Sequence, residues 1–270
     1  MIVAKDQFYT NEDIAKICIS KISNLHNYSS IIEPSAGIGS FSKNLKNVFA
    51  YDLDPKSKLI KKQDFLLLKQ KKQWGNKILF IGNPPFGKRS SLAKQFIKKA
   101  IELNATTIAF ILPDTFNKSS NQKYSLWPKE WSLVKTYKLP KNSFFILKNN
   151  KKEYYHVPCT FFIWTKDEAL KFKFKDKRIL PYKNKPKEFE FLPRGSKKAD
   201  FVLNGNSGKI KRVDSVTNPK SEHYIRIIGK SKKEIIDKFK KLHFKCLSSV
   251  NGGNYWINQE DIILAWNSIV

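Results

Sequence analysis

The loop Asn83-Pro84-Pro85-Phe86 combines residue types that can hold and orient an aromatic amine. An exocyclic ring amine is a poor nucleophile because its lone pair is delocalised into the ring. The Asn83 amide oxygen and the Pro84 carbonyl can accept both of its protons, which aims the lone pair at an electrophile. Phe86 offers a face on which the ring can stack. The loop therefore predicts an amine-orienting site, and a proline-stiffened turn without a ligand is the alternative.

The elements that must position this loop begin with the apolar run Ile78–Ile81, which predicts a buried strand. Proline cannot continue that strand, and Pro84 restricts Asn83 to an extended conformation. We therefore expect a stiff loop at the carboxyl end of a strand, which is where open α/β sheets bind ligands. The cations Lys88 and Arg89 follow directly and are candidates for contacts with a substrate.

A second loop, Pro34–Gly39, follows a short β-branched run and the acidic residue Glu33. Gly37 and Gly39 permit close approach of the backbone to a ligand. The third glycine of the dinucleotide fingerprint is missing, which argues against that class of site. A carboxylate at the strand end suits a cationic group, such as the sulfonium and amino acid end of S-adenosylmethionine. We expect a helix over about residues 40–46 after this loop.

Two further acidic residues extend the candidate site. Asp52 follows a second strand-like run at the spacing of about 20 residues where an acidic side chain meets ribose hydroxyls in doubly wound folds. The alternative, a solvated carboxylate in a turn, fits Asp54 better. Asp64 could accept a hydrogen bond from an adenine amino group, with Phe65 stacked on the ring.

The aromatic pair Phe8-Tyr9 precedes a predicted helix over about residues 11–25, opened by a capping box of Thr10 with Asp13. Two interpretations of the aromatic pair remain open: it packs as a hydrophobic staple of this helix, or it belongs to a segment that lies over a bound adenosyl group.

Further along the chain, helical periodicity over 91–103 and apolar runs at 106–112, 131–139 and 157–164 alternate as in a mostly parallel sheet. No helix separates the last two runs, so we expect them to form an antiparallel hairpin at one edge. The predicted fold is α/β: a Rossmann-like, doubly wound, mostly parallel seven-stranded sheet, followed by a small basic C-terminal α+β segment.

We divide the chain into a catalytic domain at residues 1–165, a basic linker at 166–187 and a target-recognition segment at 188–270. The linker is rich in lysine and proline, and it is either a solvated connector or a DNA-contacting segment. The C-terminal segment is predicted to contain β-like runs and two helices, near 231–242 and 258–269.

The amino-acid composition indicates which class of binding partner to expect. The net charge of +28 predicts a polyanionic partner, nucleic acid ahead of a membrane, although an A+T-rich genome would also raise the lysine content. No apolar run is long enough for a transmembrane helix, and no signal peptide is evident. We expect a soluble, intracellular protein that is located wherever the genome is, and a protein of viral origin fits the same expectation. Cys18, Cys159 and Cys246 are expected to be buried hydrophobes, and no metal site is predicted.

In this order, the segments resemble S-adenosylmethionine-dependent amino-group methyltransferases of the N6-adenine DNA type, with the γ-like arrangement of motifs, over about residues 6–165. The resemblance implies that Asn83, Pro84, Pro85 and Phe86 are catalytic. It implies cofactor contacts from Phe8, Tyr9, Thr10, Glu33, Pro34, Ser35, Ala36, Gly37, Gly39, Asp52, Asp64, Phe65 and Asn83. The implied substrate contacts are Phe86 and Phe144, which would stack on a flipped base, together with Lys88 and Arg89. The family more often has tyrosine at the position of Phe86.

The resemblance implies methyl transfer to the N6 amino group of adenine in DNA, with S-adenosyl-L-methionine as cofactor and with base flipping. Ribosomal RNA and mRNA-cap adenine methyltransferases share such loops, so RNA is an alternative substrate. Protein glutamine methylation and a catalytically silent nucleic-acid-binding subunit are further alternatives. The C-terminal segment is short for a recognition domain of restriction type.

Overall fold

Two compact units make up the chain, which a computed structural model describes at residues 8–149, 151–178, 186–229, 231–244 and 256–269. The first unit contains Met1–Phe116 and Asn121–Arg178, and the second contains Asn117–Ser120 and Ile179–Val270. Each unit has its own sheet and its own buried core.

The strands of the first unit are β1 Tyr9–Thr10, β2 Ser30–Glu33, β3 Val48–Asp52, β4 Lys61–Lys62, β5 Ile78–Gly82, β6 Thr107–Pro113, β7 Ser132–Lys138, β8 Phe144–Lys148, β9 Lys151–Tyr155 and β10 Cys159–Thr165. Seven of them form the central sheet, in the order β4-β3-β2-β5-β6-β10-β7. The helices of this unit are α1 Glu12–Ser20, α2 Ser91–Glu102 and α3 Glu168–Lys173. The pairs from β4 to β6 are parallel, and β10 is antiparallel to both β6 and β7. The predicted Rossmann-like fold with an antiparallel edge is confirmed.

Both faces of this sheet are covered because its central strands are apolar on both sides. In β5, Ile78 and Phe80 pack in the cluster that contains the buried side chains of α2. Leu79 and Ile81 point to the opposite face and pack in the cluster that contains Ile14 of α1. The sheet is therefore doubly wound.

Two local predictions near the first loop were wrong. Helix α1 begins after Asn11, whose side chain accepts the Asp13 backbone N–H, because Thr10 is already paired in β1. The expected helix over 40–46 is only the 3₁₀ turn Ser42–Asn44. The connection is short: Asn47 has a left-handed φ of 53° and β3 begins at the next residue.

The hairpin β8–β9 lies in the chain between β7 and β10, so those two strands are antiparallel neighbours without being a simple hairpin. Strand β8 pairs with β1, with Tyr9 opposite Phe145 and Thr10 opposite Phe144. The N-terminal segment is thereby attached to this hairpin in a separate three-stranded sheet.

Part of the predicted linker is folded on the first unit. The Asp167 side chain accepts the Ala169 N–H at the start of α3 and also pairs with Lys77 at 2.6 Å. The Lys177 N–H donates to the Leu133 carbonyl at 2.7 Å. Residues 166–178 therefore belong to the first unit, and residues 179–185 of the predicted linker lie outside the described residues.

The second unit has a four-stranded antiparallel sheet of order β11-β14-β12-β13. Its strands are β11 Phe189–Leu192, β12 Phe201–Asn204, β13 Ile210–Lys211 and β14 Glu222–Ile227, and its helices are α4 Lys232–Lys240 and α5 Gln259–Ser268. Apolar side chains from both helices pack with the sheet around Ile225, Phe239 and Trp266. The predicted α+β segment is confirmed.

Cys18 and Cys159 are buried free thiols, as predicted, whereas Cys246 lies outside the described residues. Within the described ranges, no helix is both long enough and apolar enough to cross a membrane.

Candidate active site

The candidate site lies at the carboxyl ends of β2 and β5, where the order of the parallel strands reverses. From β2 the chain continues outward to β3 and β4, whereas β5 and β6 lie on the other side of β2. A crevice at such a reversal is the usual ligand site of open α/β sheets. Glu33 ends β2 and Gly82 ends β5, and a Cβ atom on Gly82 would lie 3.4 Å from the Glu33 Cγ atom.

Asn83 has one engaged and one unengaged amide atom. Its Nδ2 donates to the Phe8 carbonyl at 3.2 Å, which fixes the orientation of the amide. Its Oδ1 is buried and has no hydrogen-bond partner among the described residues. A buried acceptor without a donor costs about 1–3 kcal/mol. A ligand N–H group at this oxygen would therefore recover a hydrogen bond that the protein does not make.

Two serine hydroxyls connect the loops around Asn83. Ser35 Oγ donates to the Asn83 carbonyl at 3.0 Å, which links the loop after β2 to the loop after β5. Ser40 Oγ donates to the Thr10 carbonyl at 2.6 Å, which links the loop after β2 to β1. The structure thus brings together the three segments that the sequence predicted to form the site.

Gly37 lies between Asp52 and the ring of Tyr9. Its N–H donates to Asp52 Oδ2 at 2.7 Å, and the Asp54 N–H donates to Asp52 Oδ1 at 2.8 Å. Gly37 has φ of +56°, and a Cβ atom there would lie 3.0 Å from two ring atoms of Tyr9. Burial raises the pKa of the Tyr9 hydroxyl. A side chain at position 37 would therefore force this ring to move.

Glu33 supports the loop instead of facing solvent. Its side chain is buried, with 1% relative exposure, and its Oε2 accepts the Ser42 N–H at 2.9 Å. Burial raises the pKa of this carboxyl to about 8, so it is largely protonated near neutral pH. The predicted contact of a Glu33 carboxylate with a cationic group does not match this state, because the carboxyl group holds the 3₁₀ turn after the loop.

Asp64 is close to the end of β3, since the Gln63 N–H donates to the Asp52 carbonyl at 2.8 Å. Its Oδ1 accepts the Leu66 N–H at 2.8 Å and caps a 3₁₀ turn. Phe65 does not have the predicted stacking position. It is 1% exposed, and its ring centroid lies 4.9 Å from that of Phe96, because this apolar ring fills the core beneath α2.

Phe144, the predicted base-stacking residue, is also buried. It is 1% exposed and packs in the core that contains α1, so its predicted role is wrong in this structure. Its partner across the hairpin, Tyr155, is 39% exposed, and the Tyr155 ring lies 5.7 Å from the ring of Phe8. Sequence reasoning missed this hairpin, although Asn149-Asn150 between two β-prone runs is a turn signal.

The remaining loop residues lie where substrate can reach some of them. Pro84 is buried, and Phe86 is partly buried against the cores on both faces of the sheet. The Phe86 carbonyl accepts the Leu92 N–H at 3.1 Å, which fixes the loop to the start of α2. Lys88 and Arg89 are exposed. The remaining cofactor candidates, Pro34, Ala36 and Gly39, are buried in the loop after β2.

Comparison with known protein families identifies the family of this chain. Residues 26–177, more than half of the chain, match the family model described as the EDM2 methyltransferase-like domain. Among curated proteins, none matches the sequence significantly.

Similar solved structures include a candidate RNA methyltransferase, PH1948, from Pyrococcus horikoshii, with a TM-score of 0.45 and 13% identity over 59% of this chain and 86% of that chain. A precorrin-6y C5,15-methyltransferase from Geobacter metallireducens has a TM-score of 0.34 and 13% identity over 59% of this chain and 93% of that chain. Thermoplasma acidophilum 1320 has a TM-score of 0.33 and 17% identity over 57% of this chain and 97% of that chain. Likenesses of this size indicate nothing about a substrate.

Proposed function

Because this chain belongs to the EDM2 methyltransferase-like domain family, we propose that it methylates the N6 amino group of adenine in DNA, with the target base flipped out of the duplex. The observation that carries the proposal is the buried Asn83 Oδ1, which has no partner among the described residues while Nδ2 is fixed by Phe8. Such an acceptor matches the N–H of an exocyclic amine.

The cofactor is S-adenosyl-L-methionine, which supplies an electrophilic methyl group when it is bound. The residues of the crevice fit this molecule. Asp52 is partly exposed at the end of β3, and a carboxylate oxygen can accept further hydrogen bonds, so it suits ribose hydroxyls. The backbone at Gly37 is approachable because the residue has no side chain. Tyr9 covers this loop from the β1 side. Asp64 is the candidate partner of the adenine ring of the cofactor.

Asn83 acts on the substrate by accepting one N–H of the target amine at Oδ1, and the Pro84 carbonyl is the proposed second acceptor. With both protons engaged, the lone pair of the nitrogen is directed away from the ring system. Because the Asn83 amide is already oriented by Phe8, little reorganisation is required when the amine arrives. Phe86 stacks on the flipped base.

No strong base is needed for this reaction. The amine would attack the methyl carbon as a neutral nucleophile. The N–C bond would form as the C–S bond breaks, S-adenosylhomocysteine would leave as a neutral thioether, and the methylated nitrogen would become cationic and acidic. It then loses one proton to solvent, which leaves neutral N6-methyladenine. The Asn83 amide oxygen and the Pro84 carbonyl are therefore sufficient as acceptors for the reacting amine.

A nucleic acid substrate is supported by charge and by the hairpin β8–β9. The chain has a net charge of +28, which gives strong attraction to phosphates. The hairpin presents Lys151, Lys152, Tyr154 and Tyr155 to solvent. Cations in the same strand as aromatic rings suit contact with phosphates and unpaired bases. The second unit, residues 188–270 in the proposed division, is assigned to target recognition.

The test is incubation of the protein with S-adenosylmethionine carrying a labelled methyl group and with unmethylated DNA, followed by digestion to nucleosides. Labelled N6-methyladenine is the expected product, and Asn83→Ala should form it on the order of a hundredfold to a thousandfold more slowly. Parallel reactions contain structured RNA and a glutamine-containing protein substrate. Label only in RNA or only in protein would contradict the DNA assignment, and no label in any substrate would contradict the enzyme assignment.

A further inference from the structure

A pocket of about 390 Å³ lies within the second unit, and none of its described lining residues belongs to the candidate active site. Its described lining residues are Ser120, Leu192, Arg194, Glu222, His223, Tyr224, Trp256, Asn258, Gln259 and Glu260. This volume is in the range of small-molecule sites. The lining combines aromatic rings, two acidic side chains and a guanidinium group, which suits a flat polar ligand.

Glu222 supplies the acceptor of this pocket. Its side chain is 4% exposed, and its Oε1 accepts from Asn204 Nδ2 and Lys211 Nζ, both at 2.9 Å. Its Oε2 is buried and has no hydrogen-bond partner in the part of the chain that the structure describes. Since Lys211 already balances the charge of this carboxylate, the free oxygen calls for a neutral N–H donor and not for a second cation.

Aromatic rings define the shape of the ligand. The Trp256 ring is half-buried, and its centroid lies 5.7 Å from that of His223. The His223 Nε2–H donates to the Ile257 carbonyl at 2.7 Å, which holds this ring in place. Burial lowers the pKa of His223, so the ring is neutral at neutral pH. Two neutral rings in the same pocket as the Glu222 acceptor favour a planar, uncharged aromatic group.

Arg194 adds an exposed cation to the lining. Its guanidinium group would repel a cationic ligand and attract a phosphate. A planar ring with an amino group, attached to a phosphate, is a nucleotide. A carboxylate that accepts from an exocyclic base amine is a known mode of base recognition, with cytosine N4 as its example.

We propose that this pocket of the second unit binds an unpaired nucleobase that carries an exocyclic amino group, with Glu222 accepting its N–H, Trp256 against its ring and Arg194 on its phosphate. The proposal rests on the proposed nucleic acid substrate and deepens it, because it gives the second unit a means of reading a base other than the methylated adenine.

The test is fluorescence anisotropy of labelled oligo(dC) and oligo(dT) strands with the full chain, without methyl donor. Cytosine has an exocyclic amine and thymine has a carbonyl at the same position, so oligo(dC) should bind on the order of tenfold more tightly. In Glu222→Gln the amide oxygen keeps the place of Oε1, where Asn204 and Lys211 donate, and the amide N–H₂ faces the pocket. The preference should then disappear or invert toward oligo(dT).

Glu234→Gln is the matched control, because it removes the same charge from an exposed position on α4 outside the pocket. It should keep the cytosine preference. Equal binding of the two strands by the unmodified protein, or the same preference in both glutamine variants, would overturn the proposal.

A modified ligand keeps the test decisive if Glu222→Gln does not fold. N4,N4-dimethylcytosine has no amino proton, so its oligonucleotide should bind the unmodified protein as weakly as oligo(dT); binding equal to that of oligo(dC) would overturn the proposal. Arg194→Ala should weaken the binding of both oligonucleotides, and it should reduce the salt dependence of binding by the equivalent of about one phosphate contact. Since these measurements contain no methyl donor, they succeed or fail independently of methyl transfer, and they can be repeated with Asn83→Ala.

Discussion

Asn83 in the first unit and Glu222 in the second each present a buried side-chain oxygen without a partner among the described residues. In both, the other polar atom of the side chain is engaged: Asn83 Nδ2 with Phe8, and Glu222 Oε1 with Lys211 and Asn204. Each oxygen is thus aimed by a fixed neighbour. The two differ in charge, since the amide is neutral and the carboxylate is balanced by a lysine.

The two sites also share a glycine against an aromatic ring. A Cβ atom on Gly37 would lie 3.0 Å from the Tyr9 ring, and one on Gly205 would lie 2.8 Å from the Trp256 ring. Close packing of a ring on bare backbone is therefore used in both units. Under the two proposals, the first site orients an amine that reacts, and the second site holds an amine that does not react.

The largest expected difference is between Asn83→Ala and Glu222→Gln in methyl transfer. Loss of the oriented acceptor should lower kcat by on the order of a hundredfold to a thousandfold, as for removal of one preorganised polar group. Glu222→Gln should change substrate binding and leave kcat nearly unchanged. Single-turnover transfer with saturating substrate measures this difference. Equal loss of kcat in both variants would break the distinction between the two sites.

Asn83 could be predicted from the sequence because its conformation is imposed locally, by two prolines after an apolar strand. The same holds for Gly37, whose place after a strand and before a turn is a short-range pattern. Glu222 has no such signal. Its partner across the sheet, Asn204, lies in another strand, and the pairing arises only from the register of β14 with β12.

Burial could not be read from residue type in the aromatic candidates. Phe65 and Phe144 have the chemistry to stack on a base, but each fills a core whose other walls come from distant elements. The hairpin register then decides that Phe144 points inward while Tyr155, opposite it, remains partly exposed. The mostly parallel sheet, by contrast, was predicted from the alternation of strands and helices, which is a property of the chain in sequence.

The next effect is expected at the two glycines. Gly37→Ala must displace the Tyr9 ring and should weaken S-adenosylmethionine binding on the order of tenfold to a hundredfold, because small displacements in a site are costly. Gly205→Ala must displace Trp256 and should leave cofactor binding unchanged while weakening oligonucleotide binding. Isothermal titration calorimetry measures both affinities.

Gly195→Ala is the control for backbone strain at Gly37, which also has a left-handed φ. Gly195 has φ of +82°, but no atom lies within 4 Å of the position that a Cβ would take. This variant should lose a little stability, and it should keep its affinity for both the cofactor and the oligonucleotide. A loss of cofactor affinity in Gly205→Ala that matches the loss in Gly37→Ala would show that the two glycines do not serve separate sites.

A smaller effect should distinguish Tyr155 from Phe144 within the first unit. Tyr155→Ala removes a partly exposed ring and should weaken oligonucleotide binding about fivefold, the low end for one base stacked on an aromatic ring, with little change in stability. Phe144→Ala removes a buried ring and should lower the free energy of unfolding by about 3–5 kcal/mol. Anisotropy and urea unfolding test the pair, and the reverse assignment of the two effects would restore Phe144 as the stacking residue.

The last prediction concerns stability alone and is a pH dependence that comes from the buried carboxyl group of Glu33. Burial raises the pKa of the folded carboxyl from 4.5 to about 8, so the folded protein holds this proton more tightly than the unfolded chain does. The resulting stabilisation is fully present below pH 4.5 and is lost as the pH rises through about 8. Over this window the slope is at most about 1.4 kcal/mol per pH unit.

Glu33→Gln keeps an acceptor for the Ser42 N–H and cannot ionise. Urea unfolding should therefore show that the difference in free energy of unfolding between the unmodified protein and this variant shrinks or reverses with rising pH. The exposed Glu102→Gln should give a difference that does not follow this window, and a flat difference for Glu33→Gln would mean that its carboxyl is not held protonated in the folded state.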